Sequence, residues 1–123
     1  MARIMLVDDE PEIRYITRRI LERAGHDVVE AGDGEECLRK LEKERVDLIL
    51  LDVMMPGIKG WEVCRRIKLD RRMRDIPVVM FTVRTSEGDV EESVKSGADA
   101  HINKPFEMSE LIQVVEEILK RKG

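Results

Sequence analysis

The sequence predicts an α/β fold built on a doubly wound parallel sheet. Two observations carry that expectation. Short apolar runs of strand length alternate with stretches whose apolar residues recur at helical spacing, and the alternation repeats five times. The strand runs are apolar throughout, as befits strands covered by helices on both faces. A third observation places the chemistry. Asp8 and Asp9 follow the run Ile4-Met5-Leu6-Val7, and Asp52 follows Leu48-Ile49-Leu50-Leu51. A carboxylate there stands at the C-terminal end of a strand, the edge of an open parallel sheet where ligands bind.

The elements follow in order. Residues 3–7 read as the first strand. A helix follows with Ile13, Ile16, Thr17, Ile20, Leu21 and Ala24 on one face; Pro11 suits its first turn and Gly25 ends it. The second strand is about 27–31, and Asp33-Gly34 is a turn or cap before a helix that turns Cys37, Leu38 and Leu41 inward. The third strand is 47–51. Pro56-Gly57 and Gly60 mark a loop before a third helix with Val63, Cys64 and Ile67 inward. Pro77 starts the fourth strand, 77–81. The fourth helix, roughly 86–96, has only Val90 and Val94 as strong apolar residues, and Gly97 stops it. The fifth strand is about 99–102, and the fifth helix carries Leu111, Val114, Val115, Ile118 and Leu119 on one face. Five such units with right-handed crossovers suggest the flavodoxin-like (βα)5 order 2-1-3-4-5, whose switch point lies between strands one and three. Asp8, Asp9 and Asp52 then become neighbours. No linker or repeat divides the chain, so residues 1–123 are expected to form a single domain.

Bulk properties narrow the function. Hydrophobic residues make up 42% and charged residues 39%, the balance of a soluble globular chain. A net charge of −4 gives no attraction for nucleic acid or an anionic membrane. Cys37 and Cys64 fall in helical patterns and read as buried thiols; with only His26 and His101 available, no zinc spacing exists. No export signal or membrane-length apolar run is visible, so the expected location is the cytoplasm. A single Asn (Asn103) and a single Gln (Gln113) among many charges is a bias seen in proteins from hot environments.

Thr82 follows the fourth strand and Lys104-Pro105 the fifth, which brings a hydroxyl and an ammonium to the edge that holds three carboxylates. Gathered carboxylates repel unless a proton or cation joins them, and oxygen-only ligands suit a hard cation such as Mg2+. A phosphoryl group arriving there meets a cation, a lysine and a hydroxyl, all complementary to its oxygens. Asp52 is placed to attack phosphorus and form an acyl phosphate.

At this point the chain resembles a two-component response-regulator receiver domain of the chemotaxis-regulator type. The resemblance rests on Val7-Asp8-Asp9-Glu10-Pro11, Asp33-Gly34, Asp52 with Met55-Pro56-Gly57 and Gly60, Thr82, Gly97-Ala98 and Lys104-Pro105-Phe106, and it covers essentially the whole chain. It implies that Asp52 is the phosphoacceptor, that Asp9 binds Mg2+ directly and Asp8 directly or through water, and that the Met54 carbonyl is a further ligand. It implies that Thr82 hydrogen-bonds the phosphoryl group, that Lys104 pairs with a phosphate oxygen, and that the Lys104–Pro105 bond is cis. His101 takes the family's switch position, usually an aromatic ring, and its polarity makes the inward state sensitive to pH. Phosphorylation would bias the face formed by helix four, strand five and helix five. Val83, where the family more often has Ala or Gly, narrows access to the acyl phosphate. Met54 and Arg84 flank the path of attacking water; a Met does not orient water and the Arg shields the group, which predicts a long-lived phosphorylated state.

The expected function is therefore a phosphorylation-dependent switch. A sensor histidine kinase phosphorylates it, and it controls a downstream protein target without contacting nucleic acid or inserting into a membrane. It promotes only its own phosphorylation and dephosphorylation and turns over no metabolite. Other classes fit less well. An aspartyl phosphatase needs Asp-x-Asp after the first strand and usually a cap domain. A flavin carrier needs a first loop that cradles phosphate, and this loop is acidic. A pseudo-receiver, or an excised regulator fragment acting by protein binding alone, is the remaining alternative. The stretches Asp89-Val90-Glu91-Glu92 and Leu111-Ile112-Gln113-Val114 lack the basic residues of receivers that dimerise through helices four and five, so a monomer or weak dimer is expected. Plain structural roles are expected elsewhere. Asp33 is a cap, Trp61 and Phe106 are packing residues, Tyr15 is a surface residue, Glu10 is solvated, and His26 is a loop residue without a role. Glu87 to Glu92 form a solvated first half of helix four.

Overall fold

The computed structural model describes residues 2–82, 91, 92 and 94–122, with Thr82 and Lys122 described by their backbone. The elements are β1 (Arg3–Val7), α1 (Pro11–Arg23), β2 (Asp27–Ala31), α2 (Gly34–Lys43), β3 (Leu48–Asp52), α3 (Gly60–Leu69), β4 (Val78–Thr82), β5 (Ala100–Asn103) and α4 (Met108–Lys122). The strands pair in parallel in the order β2-β1-β3-β4-β5, as the sequence predicts. Of the predicted fourth helix, residues 91, 92, 94 and 95 are helical; most of the rest of that segment lies outside the described residues.

Residues of β1 and β3 alternate between two interiors. Met5, Val7, Ile49 and Leu51 face Cys37 and Leu41 of α2 and Val63, Cys64 and Ile67 of α3. Ile4, Leu6, Leu48 and Leu50 face Leu21 of α1 and Leu111, Val115 and Ile118 of α4. A strand with period-two side chains buried on both sides must be apolar at every position, and β3 is buried along its whole length. Asp33 caps α2, its Oδ1 accepting from the Glu36 N–H at 2.8 Å, and Pro11 opens α1. Cys37 and Cys64 are buried thiols. No helix among the described residues is long and apolar enough to cross a membrane.

Four expectations need correction. The third, fourth and fifth strands each lie one residue later than predicted, at 48–52, 78–82 and 100–103. Asp47 is tied to Arg3, its N–H to the Arg3 carbonyl at 2.7 Å and its Oδ2 to the Arg3 N–H at 2.8 Å, and the ladder starts at Ile4 opposite Leu48. At the far end Asp52 pairs with Phe81, and Val53 N–H donates to the Phe81 carbonyl at 3.1 Å. Asp52 and Thr82 are thus the last residues of their strands, not the first beyond them. On α1, the buried stripe is Thr17 and Leu21; Ala24 is the exposed cap, and Ile16 is 54% exposed. Ile16 lines an apolar groove of about 400 Å3 with Ile13, Ile20, Phe106, Met108 and Lys104. His26, expected without a role, is buried: its Nδ1 accepts the Ala2 N–H at 3.2 Å and its Nε2 stands 3.2 Å from Glu116 Oε1, joining the entry of β1 to α4.

Candidate functional site

The sheet register gathers the acidic residues. Val7 lies between Ala31 and Leu51, so Asp8 emerges at the centre of the C-terminal edge. Asp52 ends β3 beside Phe81, and Thr82 ends β4 beside Asn103, immediately before Lys104.

Asp8 is 1% exposed, and each of its polar groups has a partner. Its N–H donates to the Ala31 carbonyl at 3.2 Å and its carbonyl accepts from Arg14 Nη1 at 2.6 Å. Its Oδ1 accepts from the Glu10 N–H at 2.9 Å and its Oδ2 from Lys104 Nζ at 2.7 Å. The same ammonium reaches Asp52 Oδ2 at 3.3 Å, while Asp52 Oδ1 accepts from the Met54 N–H at 3.2 Å. Lys104 therefore spans two buried carboxylates, a paired arrangement that offsets the cost of burying charge. Its Nζ lies 5.5 Å from the Phe81 ring centre, and Phe81 in turn stacks on Phe106 with ring centres 5.3 Å apart. The Lys104–Pro105 bond is cis, as the resemblance implies.

The charges answer to this geometry. Burial pushes the Asp52 carboxyl up to about 6; Lys104 lowers it in part, and the Asp8 charge raises it further. Burial alone would lower the Lys104 ammonium, but the hydrogen bond to Asp8 and the charges of Asp52 and Asp8 outweigh it, and the net shift is upward. Asp8, Asp9 and Glu10 bring one carboxylate oxygen each within 4.8 Å of one another. Glu10 is exposed, as expected, yet its carboxylate belongs to this cluster. An all-oxygen, acidic donor set of this kind fits a hard cation such as Mg2+.

The remaining predicted residues are placed as follows. His101 is exposed on β5 opposite Met80, and burial of part of its ring lowers its pKa below the ordinary 6.5. Met54 lies in the loop after Asp52, with Lys59 Nζ 3.8 Å from its sulfur. The side chain of Thr82 and all of Val83 and Arg84 lie outside the described residues.

Three further residues shape the site. In the sequence Gly60 marks a loop and belongs to the resemblance, with no sign of what it makes room for. Its N–H donates to the Val53 carbonyl at 2.9 Å, and a Cβ there would stand 2.1 Å from the Asp52 carbonyl oxygen. The glycine lets α3 begin against the backbone of Asp52. Phe81 looked like one more apolar strand residue; only the fold shows it beneath Lys104. Arg14 looked like one of several α1 arginines, and its bond to the Asp8 carbonyl has no signal in the sequence.

Comparison with known proteins identifies the family and the fold. Residues 4–116 match the family described as the response regulator receiver domain. Over 119 residues the chain is 42% identical to the alkaline phosphatase synthesis transcriptional regulatory protein PhoP of Bacillus subtilis, covering 97% of this chain and 49% of that protein. The chain thus spans about half the length of the curated relatives it matches. Its fold is similar to the signal receiver domain of a signal transduction histidine kinase from Syntrophus aciditrophicus, with a TM-score of 0.94 and 34% identity over 98% of this chain and 91% of that one. It is also similar to the receiver domain of the sensor histidine kinase PA1611 from Pseudomonas aeruginosa PAO1, described with a magnesium ion coordinated in its active site cleft. That match has a TM-score of 0.90 and 28% identity, covering 97% of this chain and 98% of that one.

Proposed function

The chain belongs to the response regulator receiver domain family, and from that premise we propose that it is a phosphorylation-dependent switch whose acceptor is Asp52. The observation that carries the reading is Lys104 bridging the buried carboxylates of Asp8 and Asp52. A carboxylate oxygen of Asp52 attacks the phosphorus of a phosphohistidine on a sensor kinase. The P–N bond breaks, its electron pair stays on the imidazole, and an acyl phosphate forms. Lys104 is within reach of the incoming phosphoryl oxygens once its contact with Asp52 is exchanged for them. Asp8, Asp9, Asp52 and the Met54 carbonyl would hold Mg2+, which neutralises charge among the carboxylates and the phosphoryl oxygens. Thr82 then hydrogen-bonds the phosphoryl group and His101 turns inward behind it, changing the face that includes β5 and α4 to control a protein target.

In this reading the chain works in the cytoplasm as a monomer or weak dimer, contacts no nucleic acid itself, and catalyses only changes in its own phosphorylation. We propose this for residues 1–123 as one receiver unit. Val83 limits entry of small phosphodonors, and Val83→Ala is expected to speed labelling by a small donor several-fold; an unchanged rate counts against that role. Met54 and Arg84 prolong the phosphorylated state, checked by the decay of the adduct when either is replaced.

Intact mass after incubation with Mg2+ and a phosphodonor tests the whole reading. Both a small donor and a histidine kinase are needed, because Val83 restricts only the former. One phosphoryl adduct that requires Mg2+ and vanishes in Asp52→Ala is the expected result. No adduct from either donor favours a pseudo-receiver that acts by protein binding alone.

A further inference from the structure

We propose that Arg14 is a positioning residue for the cation site, holding the Asp8 backbone so that the acidic loop presents its oxygens in the geometry Mg2+ demands. The inference rests on the reading of that loop as a Mg2+ site. Arg14 is the fourth residue of α1 and its side chain is only 22% exposed. Its Nη1 donates to the Asp8 carbonyl at 2.6 Å, shorter than the 2.9 Å from its Nε to Glu30 Oε1. Glu30 is itself anchored. Its second carboxylate oxygen accepts from Arg18, and its backbone carbonyl accepts from Lys40 Nζ at 2.6 Å. The guanidinium fork is thus aimed from a braced acid on β2 at the peptide that carries the first acidic ligand. A lysine offers one ammonium and no such fixed fork.

Two physical effects of Arg14 on a bound cation have opposite signs. Its positive charge near the acidic loop repels Mg2+, so charge alone makes removal of Arg14 tighten binding. Its bond to Asp8 fixes a ligand-bearing peptide, so positioning makes removal weaken binding. Outer partners of metal ligands are commonly worth 10–100-fold in affinity. Mg2+ demands near-octahedral geometry, whereas Ca2+ accepts variable ligand numbers and distances. A positioning role therefore falls harder on Mg2+ than on Ca2+, a split that a general loss of stability does not produce.

The experiment is calorimetric titration of the full chain with MgCl2 and separately with CaCl2, for wild type, Arg14→Gln and Arg14→Lys, with thermal melts in EDTA alongside. Mg2+ affinity is expected to fall about tenfold in Arg14→Gln, with a smaller loss for Ca2+. Arg14→Lys keeps the charge and serves if the glutamine variant does not fold; it is expected to show the same ordering of the two ions. Mg2+ binding that is unchanged or tighter, or equal losses for both ions, overturns the assignment. A wild-type chain that takes up no Mg2+ overturns the reading of the site, and this inference falls with it.

Discussion

Asp52 is where burial and chemistry conflict most directly. It is 3% exposed and its carboxyl is held at about 6, against an ordinary 3.8. A carboxyl raised on folding binds its proton more tightly in the folded state, so its contribution to stability is complete below about 3.8 and is lost as the pH rises through about 6. At roughly 1.4 kcal/mol for each pKa unit, the cost of ionising it in the folded chain reaches about 1–3 kcal/mol at neutral pH. Asp52→Asn removes that cost. It is expected to stabilise the chain by about this amount at pH 7.5 in EDTA and to give no gain at pH 3.5. Urea unfolding at the two pH values checks it, and an equal gain at both would contradict the origin assigned here. The place of Asp52 at the sheet edge was legible in sequence because it closes an apolar run. The contribution of Lys104 was legible as a charge, but its two partners depended on a register that sequence spacing leaves one residue uncertain.

At the scale of elements, the join between β3 and α3 is the least forgiving. Alanine favours a helix over glycine by about 1 kcal/mol. At residue 60 that preference is outweighed, because the added carbon would meet the Asp52 carbonyl oxygen at 2.1 Å and the Val53 Cα at 2.8 Å. Neither neighbour is a flexible side chain. Gly60→Ala is expected to destabilise the fold by about 2 kcal/mol or more and, on the proposed function, to lower phosphoryl uptake by displacing Asp52. A melt and a labelling time course check the two effects separately. Helix faces were readable where a stripe is wide and central: Cys37 and Leu41, Val63, Cys64 and Ile67, and Leu111, Val115 and Ile118 are all buried as expected. The reading failed at the margin of α1, where Ile16 follows the helical period yet lines an open groove. Periodicity reports which face is apolar and not how far its neighbours extend over it. His26 failed for a related reason. Its two partners, Ala2 and Glu116, lie at opposite ends of the chain, and nothing local to residue 26 announces them.

For the molecule as a whole, strand order and the two-sided core were legible because fully apolar strands leave few other architectures. The sheet divides the interior in two. Substitutions confined to opposite sides are then expected to act independently. Ile67→Val beneath α3 is expected to cost about 1 kcal/mol and Leu111→Ala beneath α4 about 3 kcal/mol. The double variant is expected to match their sum within about 0.5 kcal/mol, measured by denaturant unfolding. Leu50 and Leu51 make the division vivid: they are neighbours along the chain, yet one belongs to each interior. The sheet is a party wall. Sequence drift, or a designer, can refurnish the rooms on either side separately, and the common tenant of both is the row of backbone at the C-terminal edge, which has to stay where the carboxylates need it.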